Sequence, residues 1–464
     1  MIKNRYIKLL LILTAVSAIG FSCGVMHPYE RPDISILHQY RDRPNQDTQS
    51  VAHISWKEFF TDTLLQQLIQ TGIHNNLDLK VALARVEQAR AYYLQSKAAF
   101  FPSFDAQLGA SIAKLSEAQG FGIRTSATQY QLGVSTVWEA DIWGKIASNK
   151  RASEAAVLQS EAGVRAVQTK LVAQIANYYY LLMALDKQLD ITKQTVYNWD
   201  TTVTTMRALK EAAVVTEAAV VQSLAQRYAA AVMIPDLKQA IKETENALSI
   251  LLGHSPGLIR RSKIELQRPI DYLSVGVPTQ LLANRPDVQQ AEQNYRYYFE
   301  MTNVAHAYFY PTFSITGSAG LNSLSFEELF KPASLVASIG AGIVQPIFNR
   351  RQNKTRLKVA QAQQEEAYYG LQNTLLIAGS EVSNYLSLHS MASEKIAIRA
   401  HQMEALLHSV EYTQELLRYG FANYNEIITA RQSLLQAELG NVNDQLQQLQ
   451  SVVNLYRALG GGWR

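Results

Sequence analysis

The chain has 464 residues, of which 47% are hydrophobic and 18% charged, and it carries a formal net charge of +4. The length allows two or three domains. Lys3, Arg5 and Lys8 supply three of the positive charges in the first 22 residues, which hold no acid, leaving +1 for residues 23–464. So neutral a remainder offers no basic face to neutralise phosphates, which excludes nucleic acid as a partner.

Residues 1–22 have the form of a secretory signal peptide: a basic start, an apolar run from Leu9 to Val16, then small residues. The run is too short for the ~20 apolar residues of a single transmembrane anchor. Cys23 is the only cysteine in the chain, so it forms no internal disulfide. Its place just past the apolar run marks it as the acylated first residue of a bacterial lipoprotein. The alternative is an ordinary signal with a stray cysteine, since Gly20 stands where such signals usually have an aliphatic residue. Gly24 is compatible with sorting to the outer membrane. Pro28, Pro32 and Pro44 make residues 23–62 an extended tether and connecting segment.

Short helices are expected over Leu64–Thr71 and Leu77–Phe100, and then the pattern changes. Over Ser103–Ile112, the residues Phe104, Ala106, Leu108, Ala110 and Ile112 alternate with Ser103, Asp105, Gln107, Gly109 and Ser111. Over Gln129–Trp138, Tyr130, Leu132, Val134 and Trp138 oppose Gln129, Gln131, Gly133 and Ser135. Period two with one apolar and one small-polar face suits strands of ~10 residues in a transmembrane barrel. A half-buried soluble sheet shows the same alternation.

No proline occurs between Pro102 and Pro235, or after Pro346, and proline is what a helix interior excludes. From Lys145 to about Lys210 the spacing of Leu171, Ile175, Tyr178, Leu182, Leu185 and Leu189 is a coiled-coil seam. Such a helix reaches roughly 100 Å at ~1.5 Å per residue. Pro235 is expected to break or offset the helix that returns. A further helix is expected over Asp287–Tyr310, and strands over Thr312–Leu321 and Leu335–Gln345. In these strands Phe313, Ile315, Ala319 and Leu321, then Leu335, Ala337, Ile339, Ala341 and Ile343, form the apolar faces. The seam returns at Leu435, Leu439, Val442, Leu446, Leu449, Val453 and Tyr456.

The two halves repeat one another. Ala99-Phe100-Phe101-Pro102-Ser103-Phe104 recurs as Tyr308-Phe309-Tyr310-Pro311-Thr312-Phe313, an offset of 209. Leu209 onward recurs from Leu417 at an offset of 208, and Leu251-Leu252-Gly253 recurs as Ala458-Leu459-Gly460. A half of this size is far longer than a solenoid repeat of ~20–50 residues. The divisions are a signal peptide at 1–22, a tether at 23–62, a first repeat at 63–262 and a second at 278–464. Four strands cannot close a barrel, and an open sheet edge cannot sit in lipid. Strands that span a membrane would therefore have to be shared among several chains. Three chains would supply twelve strands, with a lumen because the inner faces lack bulk.

Several motifs stand out along the chain: Tyr29-Glu30-Arg31-Pro32, Trp56 with Phe59-Phe60 and Asp62, and Val86-Glu87-Gln88-Ala89-Arg90. Trp138-Glu139-Ala140-Asp141-Ile142-Trp143-Gly144-Lys145 and Gln345-Pro346-Ile347-Phe348-Asn349 mark the strand-to-helix joins. Asn284-Arg285-Pro286-Asp287-Val288 and Leu455-Tyr456-Arg457-Ala458-Leu459-Gly460-Gly461-Gly462-Trp463 complete the set. In these motifs the chain resembles the TolC-like outer membrane efflux proteins, in the lipoprotein branch that serves resistance–nodulation–division (RND) pumps. The resemblance implies a mixed α and β fold. A homotrimer would share a twelve-stranded barrel in outer membrane lipid, continued by a long helical barrel across the periplasm. It also implies a periplasmic adaptor and an inner-membrane RND-type pump as partners, and a periplasmic gate near Tyr419, Gly420, Phe421, Ala422, Tyr424 and Glu426. Related proteins often carry an acid at the position of Ala422. Glu426 either substitutes for it or is a solvated helix residue. Tyr419, Phe421 and Tyr424 either narrow the bore or pack between helices. Aligning Gly420 with Ala212 implies that the two tips differ in turn shape.

No phosphate loop, Gly-x-Ser-x-Gly elbow or His-Glu-x-x-His occurs. His401 and His408 lie one heptad apart with no third ligand, which points to surface or seam histidines and not to zinc. No catalysis, cofactor or metal is expected. The leading reading is an outer membrane exit duct for small molecules. Its alternatives are a duct for secreted protein or peptide on the same architecture, and a periplasmic coiled-coil scaffold without a pore. Phe104, Leu108, Leu132, Val134, Phe313, Ile315 and Ile339 are the expected lipid-facing side chains.

Overall fold

The computed structural model describes residues 26–33, 50–114, 126–267 and 280–464. Cys23 and the signal peptide lie outside these residues. Single-turn helices at Trp56–Phe59 and Leu281–Asn284 aside, the first half contains α1 (Thr63–Asn75), α2 (Leu77–Ala98), β1 (Ser103–Lys114), β2 (Ser126–Ala140), α3 (Lys145–Glu211) and α4 (Glu217–Leu251). The second contains α5 (Pro286–Ala307), β3 (Thr312–Ser323), β4 (Leu335–Val344), α6 (Gln352–Arg418) and α7 (Tyr424–Ala458). Corresponding helices match in length: 22 residues in α2 and α5, 67 in α3 and α6, 35 in α4 and α7.

The offset between halves is 209 at the starts of the strands and 207 from the first residues of α3 and α6 onward. The difference arises because β4 has 10 residues where β2 has 15, while the strand-to-helix join lengthens only from residues 141–144 to residues 345–351. Gly144 takes the left-handed conformation in the first join, and Arg350 and Arg351 take it in the second.

Several expected boundaries move. Helix α2 stops at Ala98 and α5 at Ala307, short of Phe100 and Tyr310. Pro102 and Pro311 follow closely and disfavour helix in the residue before them. Both ends finish in three-residue turns, Phe101 N–H to Ala98 O and Tyr310 N–H to Ala307 O. Strand β2 runs past Gln129–Trp138 to Ser126–Ala140 because pairing with β1 and β3 continues beyond the alternating stretch. The break expected at Pro235 is absent, and α4 continues through it. Pro235 is on the exposed side of the helix, where solvent can take the carbonyl its missing N–H leaves unpaired.

The described residues divide into two compact units, 26–33, 86–114, 126–160 and 291–371 in the first, and 50–85, 161–267, 280–290 and 372–464 in the second. The first holds one antiparallel sheet in the order β1-β2-β3-β4. One end of it is tied by tryptophans: Trp138 Nε1–H donates to Phe100 O at 2.9 Å and Trp143 Nε1–H to Pro311 O at 2.7 Å. Asp141 caps α3 by accepting from the N–H groups of Ile146 and Ala147. Arg151 pairs with the buried Glu300 at 2.8 Å. The Tyr-x-Arg-Pro segment lies along α5, with Tyr29 edge-on to Phe299 and Arg31 bonded to Glu292 at 2.6 Å. Burial, reinforced by the Glu292 charge, pushes the Tyr29 hydroxyl up to about 12.

The core of the second unit lies along the predicted seams. Leu171, Ile175, Leu182 and Leu185 are buried, as are Val442, Leu449, Val453 and Tyr456. Of the three consecutive tyrosines, Tyr179 and Tyr180 are buried. Tyr179 donates to Asp62 at 2.8 Å, and Ser262 and Gln267 bond to the same carboxylate oxygen. Tyr456 stacks on Phe59 at 3.9 Å between centroids and donates to Ile54 O.

The repeated Leu-Gly at each half's end closes a helix. Gly253 and Gly460 have φ of 71° and 96°, where a side chain would be strained. A Cβ on Gly460 would also lie 2.4 Å from Asn284 O, and one on Gly253 would lie 2.7 Å from Asn75 O. Asn76 Nδ2 donates to Leu251 O, the last residue of α4, and Arg285 Nη1 donates to Ala458 O, the last residue of α7. The Asn-Arg-Pro-Asp motif is therefore a clamp on the C-terminal helix. Arg285 is also bidentate to Asp287 and bonded to Glu381, which in turn accepts from Arg457.

Candidate channel wall and helical tip

The register of the sheet decides which side chains share a face. Phe104 lies opposite Thr136, Leu108 opposite Leu132, and Ala106 opposite Val134. Leu132 lies opposite Leu321, Trp138 opposite Ile315, and Ala140 opposite Phe313. Phe313 in turn lies opposite Ile343, Gly317 opposite Ile339, and Leu321 opposite Leu335. Directly opposed residues project to the same side. The apolar sets of all four strands thus form one continuous face.

Phe104, Leu108, Leu132, Val134 and Ile339 are exposed, Ile339 at 86%. Phe313 and Ile315 are half-buried. The other face carries Asp105, Gln107, Gln129, Gln131, Thr316, Ser318, Asn322 and Ser338, with Val137, Val336 and Val344 as apolar exceptions. It has its own hydrogen bonds, Ser318 Oγ to Ser338 Oγ at 2.8 Å and Gln129 Nε2–H to Asn322 Oδ1 at 3.0 Å. Gly133 and Gly320 are opposed on it, and a Cβ on Gly320 would sit 2.3 Å from Leu132 O. Strands β1 and β4 form the two edges of the sheet. Among the described residues no helix is long and apolar enough to cross a membrane.

The tip is the pair of turns in the second unit that join α3 to α4 and α6 to α7. Both close with the same pair of bonds. Val214 N–H donates to Leu209 O and Ala213 N–H to Lys210 O; Phe421 N–H donates to Leu416 O and Gly420 N–H to Leu417 O. This is the Schellman arrangement, which needs a left-handed residue. Ala213 has φ 59° and Gly420 has φ 75°. Gly420 thus corresponds to Ala213 and not to Ala212. The two turns share one shape, which corrects the expected difference. The 207-residue offset already holds throughout these helices.

The six expected gate residues take different environments. Tyr419 and Phe421 are exposed, at 72% and 81%. Ala422 and Tyr424 are half-buried. Tyr424 packs against two small cores, one with Met206, Ala219, Val220, Leu417 and Ile427, the other with Trp199, Ala230 and Ile428. Gly420 is the turn residue. Glu426 accepts from the Asn423 N–H while Asn423 accepts from within the first turn of α7, a capping box. Tyr424 and Glu426 therefore have local structural work within their own chain.

Sequence reading passed over the charged groove beside these cores. Its volume is about 580 Å³, and Lys187, Asp190, Trp199, Arg431 and Glu438 are among its lining residues. Burial pushes Arg431 down and Glu438 up from their ordinary values. These charges sit among Leu434 and Leu435 on a helical pattern that reads simply as amphipathic, so periodicity gives no sign of their desolvation. His401 and His408 are exposed, each beside a glutamate three residues on. Among the described residues no His, Cys, Asp and Glu side chains group to hold a metal.

A model of the family described as outer membrane efflux protein matches residues 68–254 and 277–461. The chain is 30% identical to the probable efflux pump outer membrane protein TtgC of Pseudomonas putida KT2440, over 98% of this chain and 96% of that one. It is 26% identical to the probable outer membrane lipoprotein SilC of Salmonella typhimurium, over 98% of this chain and 99% of that one. The solved outer-membrane channel OprN superposes with a TM-score of 0.88 at 26% identity, covering 95% of this chain and all of OprN. The match on both halves accounts for the duplicated elements and the paired helix closures. The chain belongs to the outer membrane efflux protein family, as an outer membrane channel of the TolC-like fold.

Proposed function

We propose that three copies of the chain assemble into the exit duct of a tripartite efflux system, which passively conducts small molecules from an inner-membrane pump of the RND type, through a periplasmic adaptor, to the exterior. One observation carries the reading: a four-stranded sheet with one predominantly apolar face, broken by small residues such as Thr136 and Gly317, and two open edges. In lipid the unpaired edges would cost several kcal/mol for each unsatisfied group. Joining β1 of one copy to β4 of the next removes both edges, and repeating the operation closes the wall. Three copies give twelve strands. An eight-stranded barrel has an interior that side chains must fill, and Gly133, Gly320, Gly340, Ser318 and Ser338 are too small to fill one. The small polar face then lines water.

In this reading Phe104, Leu108, Leu132, Val134, Phe313, Ile315 and Ile339 meet lipid, and Cys23 carries the acyl anchor. Residues 63–262 and 278–464 are the two halves of the duct, and the turns at Ala213 and Gly420 are its periplasmic tips. Tyr419 and Phe421, the gate residues least engaged within the chain, are the ones free to narrow the bore or meet a partner. The energy for export comes from the pump, because conduction through a wet lumen asks no chemistry of the wall.

The test is conductance of purified full-length protein in planar bilayers, with a variant carrying Tyr419→Ala and Phe421→Ala beside the parent. Discrete channels whose open fraction rises in the variant are expected. Absence of channels from both would leave only a scaffold without a pore.

A further inference from the structure

The β3–β4 hairpin loop, residues 324–334, concentrates apolar surface where an exposed loop would ordinarily be polar. Leu324, Phe326 and Phe330 are exposed while Leu329 is buried. The loop is built. Leu329 N–H donates to Phe326 O, Lys331 N–H to Glu328 O and Ser334 N–H to Lys331 O. The Ser334 hydroxyl adds a bond to Glu328 O at 2.7 Å. A loop so bonded presents its phenylalanines in one place.

Which side it presents them to follows from Tyr130. That residue pairs with Ser323 at the end of the sheet, on the same face as Leu132 and Val134. Phe326 lies edge-on to Tyr130 with ring centroids 5.6 Å apart, and Phe330 lies edge-on to Phe326 at 6.2 Å. The loop thus turns back over the apolar face and away from the small polar face.

We infer that Phe326 and Phe330, with Tyr130, form an aromatic belt seated in the headgroup–acyl boundary of the membrane, on the outside of the barrel. The inference rests on the reading of the sheet as part of a transmembrane wall. The spacing agrees with it. From Phe313 to Ser323 β3 advances about 34 Å at ~3.4 Å per residue. A tilt of 35–45° reduces this to about 24–28 Å, against an apolar band of about 25 Å bounded by aromatic girdles. The partner of this surface is lipid.

The test uses a nitroxide attached to the full-length protein in lipid bilayers, in a C23S background that leaves the engineered thiol as the only one. The accessibility of the label to oxygen and to a water-soluble nickel chelate is compared at F326C, F330C, L108C in the strand face, and E404C on the exposed side of α6 as the aqueous reference. Oxygen access relative to nickel should be highest at L108C. At F326C and F330C it should fall below that value yet stay several-fold above E404C. If L108C reads as lipid while both loop sites match E404C, or exclude both reagents, the belt is refuted and the wall stands. A refuting third type of site would be one facing the bore or a neighbouring copy. If L108C itself matches E404C, the transmembrane reading of the sheet falls with it.

Discussion

Replacing Ile339 with Arg puts the face assignment under direct load. Ile339 pairs with Gly317, which pairs with Thr136. Gly317 lies near the middle of β3, so Ile339 is close to the proposed midplane of the bilayer. An arginine on the lipid face there costs about 2–4 kcal/mol. Three copies raise that to about 6–12 kcal/mol per barrel, comparable with the ~5–15 kcal/mol stability of a whole folded domain. Ser338 is one residue away, at the same depth on the opposite face. Ser338→Arg loses the hydroxyl bond to Ser318, worth about 1 kcal/mol, and leaves the charge in water. Outer membranes from cells producing each variant would be run unheated on denaturing gels, scoring trimer against monomer, followed by urea titration of the purified trimers. I339R should lose most of its trimer and S338R should keep it. Leu132 lies at the middle of β2, opposite Leu108, so Leu132→Arg should be damaging too, and Gln131→Arg and Thr316→Arg should be tolerated better than Leu132→Arg and Ile315→Arg. Equal damage at Ile339 and Ser338, or none at either, would refute the faces.

At the tips, Ala213 bears a left-handed backbone that Gly420 adopts freely. Ala213→Gly should stabilise its turn by roughly 0.5–1 kcal/mol and Gly420→Ala should weaken the other by about 1 kcal/mol; amide exchange in residues 209–216 and 416–423 reads both. Burial alone would raise the Asp62 pKa, but hydrogen bonds from Ser262, Tyr179, the Leu64 N–H and Gln267 hold it below the ordinary carboxylate value. Its stabilising contribution is therefore complete above the unfolded value, near pH 4, and is lost as the pH falls through the folded one. Denaturation midpoints should accordingly drop below about pH 4 in the parent and flatten there in Asp62→Asn; the same acid slope in both would assign the effect elsewhere. Cys23→Ser should abolish incorporation of labelled palmitate while sparing trimer formation. Undiminished labelling would place the lipid on another residue, and no labelling of the parent would mean that the chain is not acylated.

Local patterns carried a large share of this protein. Alternation along Ser103–Ile112 and Thr312–Leu321 specified strands because side-chain direction reverses at every residue. Missing proline after Pro102 and Pro346 specified long helices because one ring is enough to disturb a helix. The recurrence of an aromatic-Pro-x-Phe motif and of Leu-Gly announced the duplication. Even so, proline was an imperfect guide: at Pro235 the exposed side of α4 tolerates it. Tertiary structure alone decided how the four apolar faces combine, since cross-strand register depends on residues more than a hundred positions apart, such as Val134 and Ala319. It also decided that Gly420 answers to Ala213, because turn geometry is set by hydrogen bonds that close the helix and not by residue type. It gave Arg285 its clamp on Ala458, and it turned Phe326 back over Tyr130. Each of these is a contact between distant parts of the chain, to which periodicity within a single segment is blind.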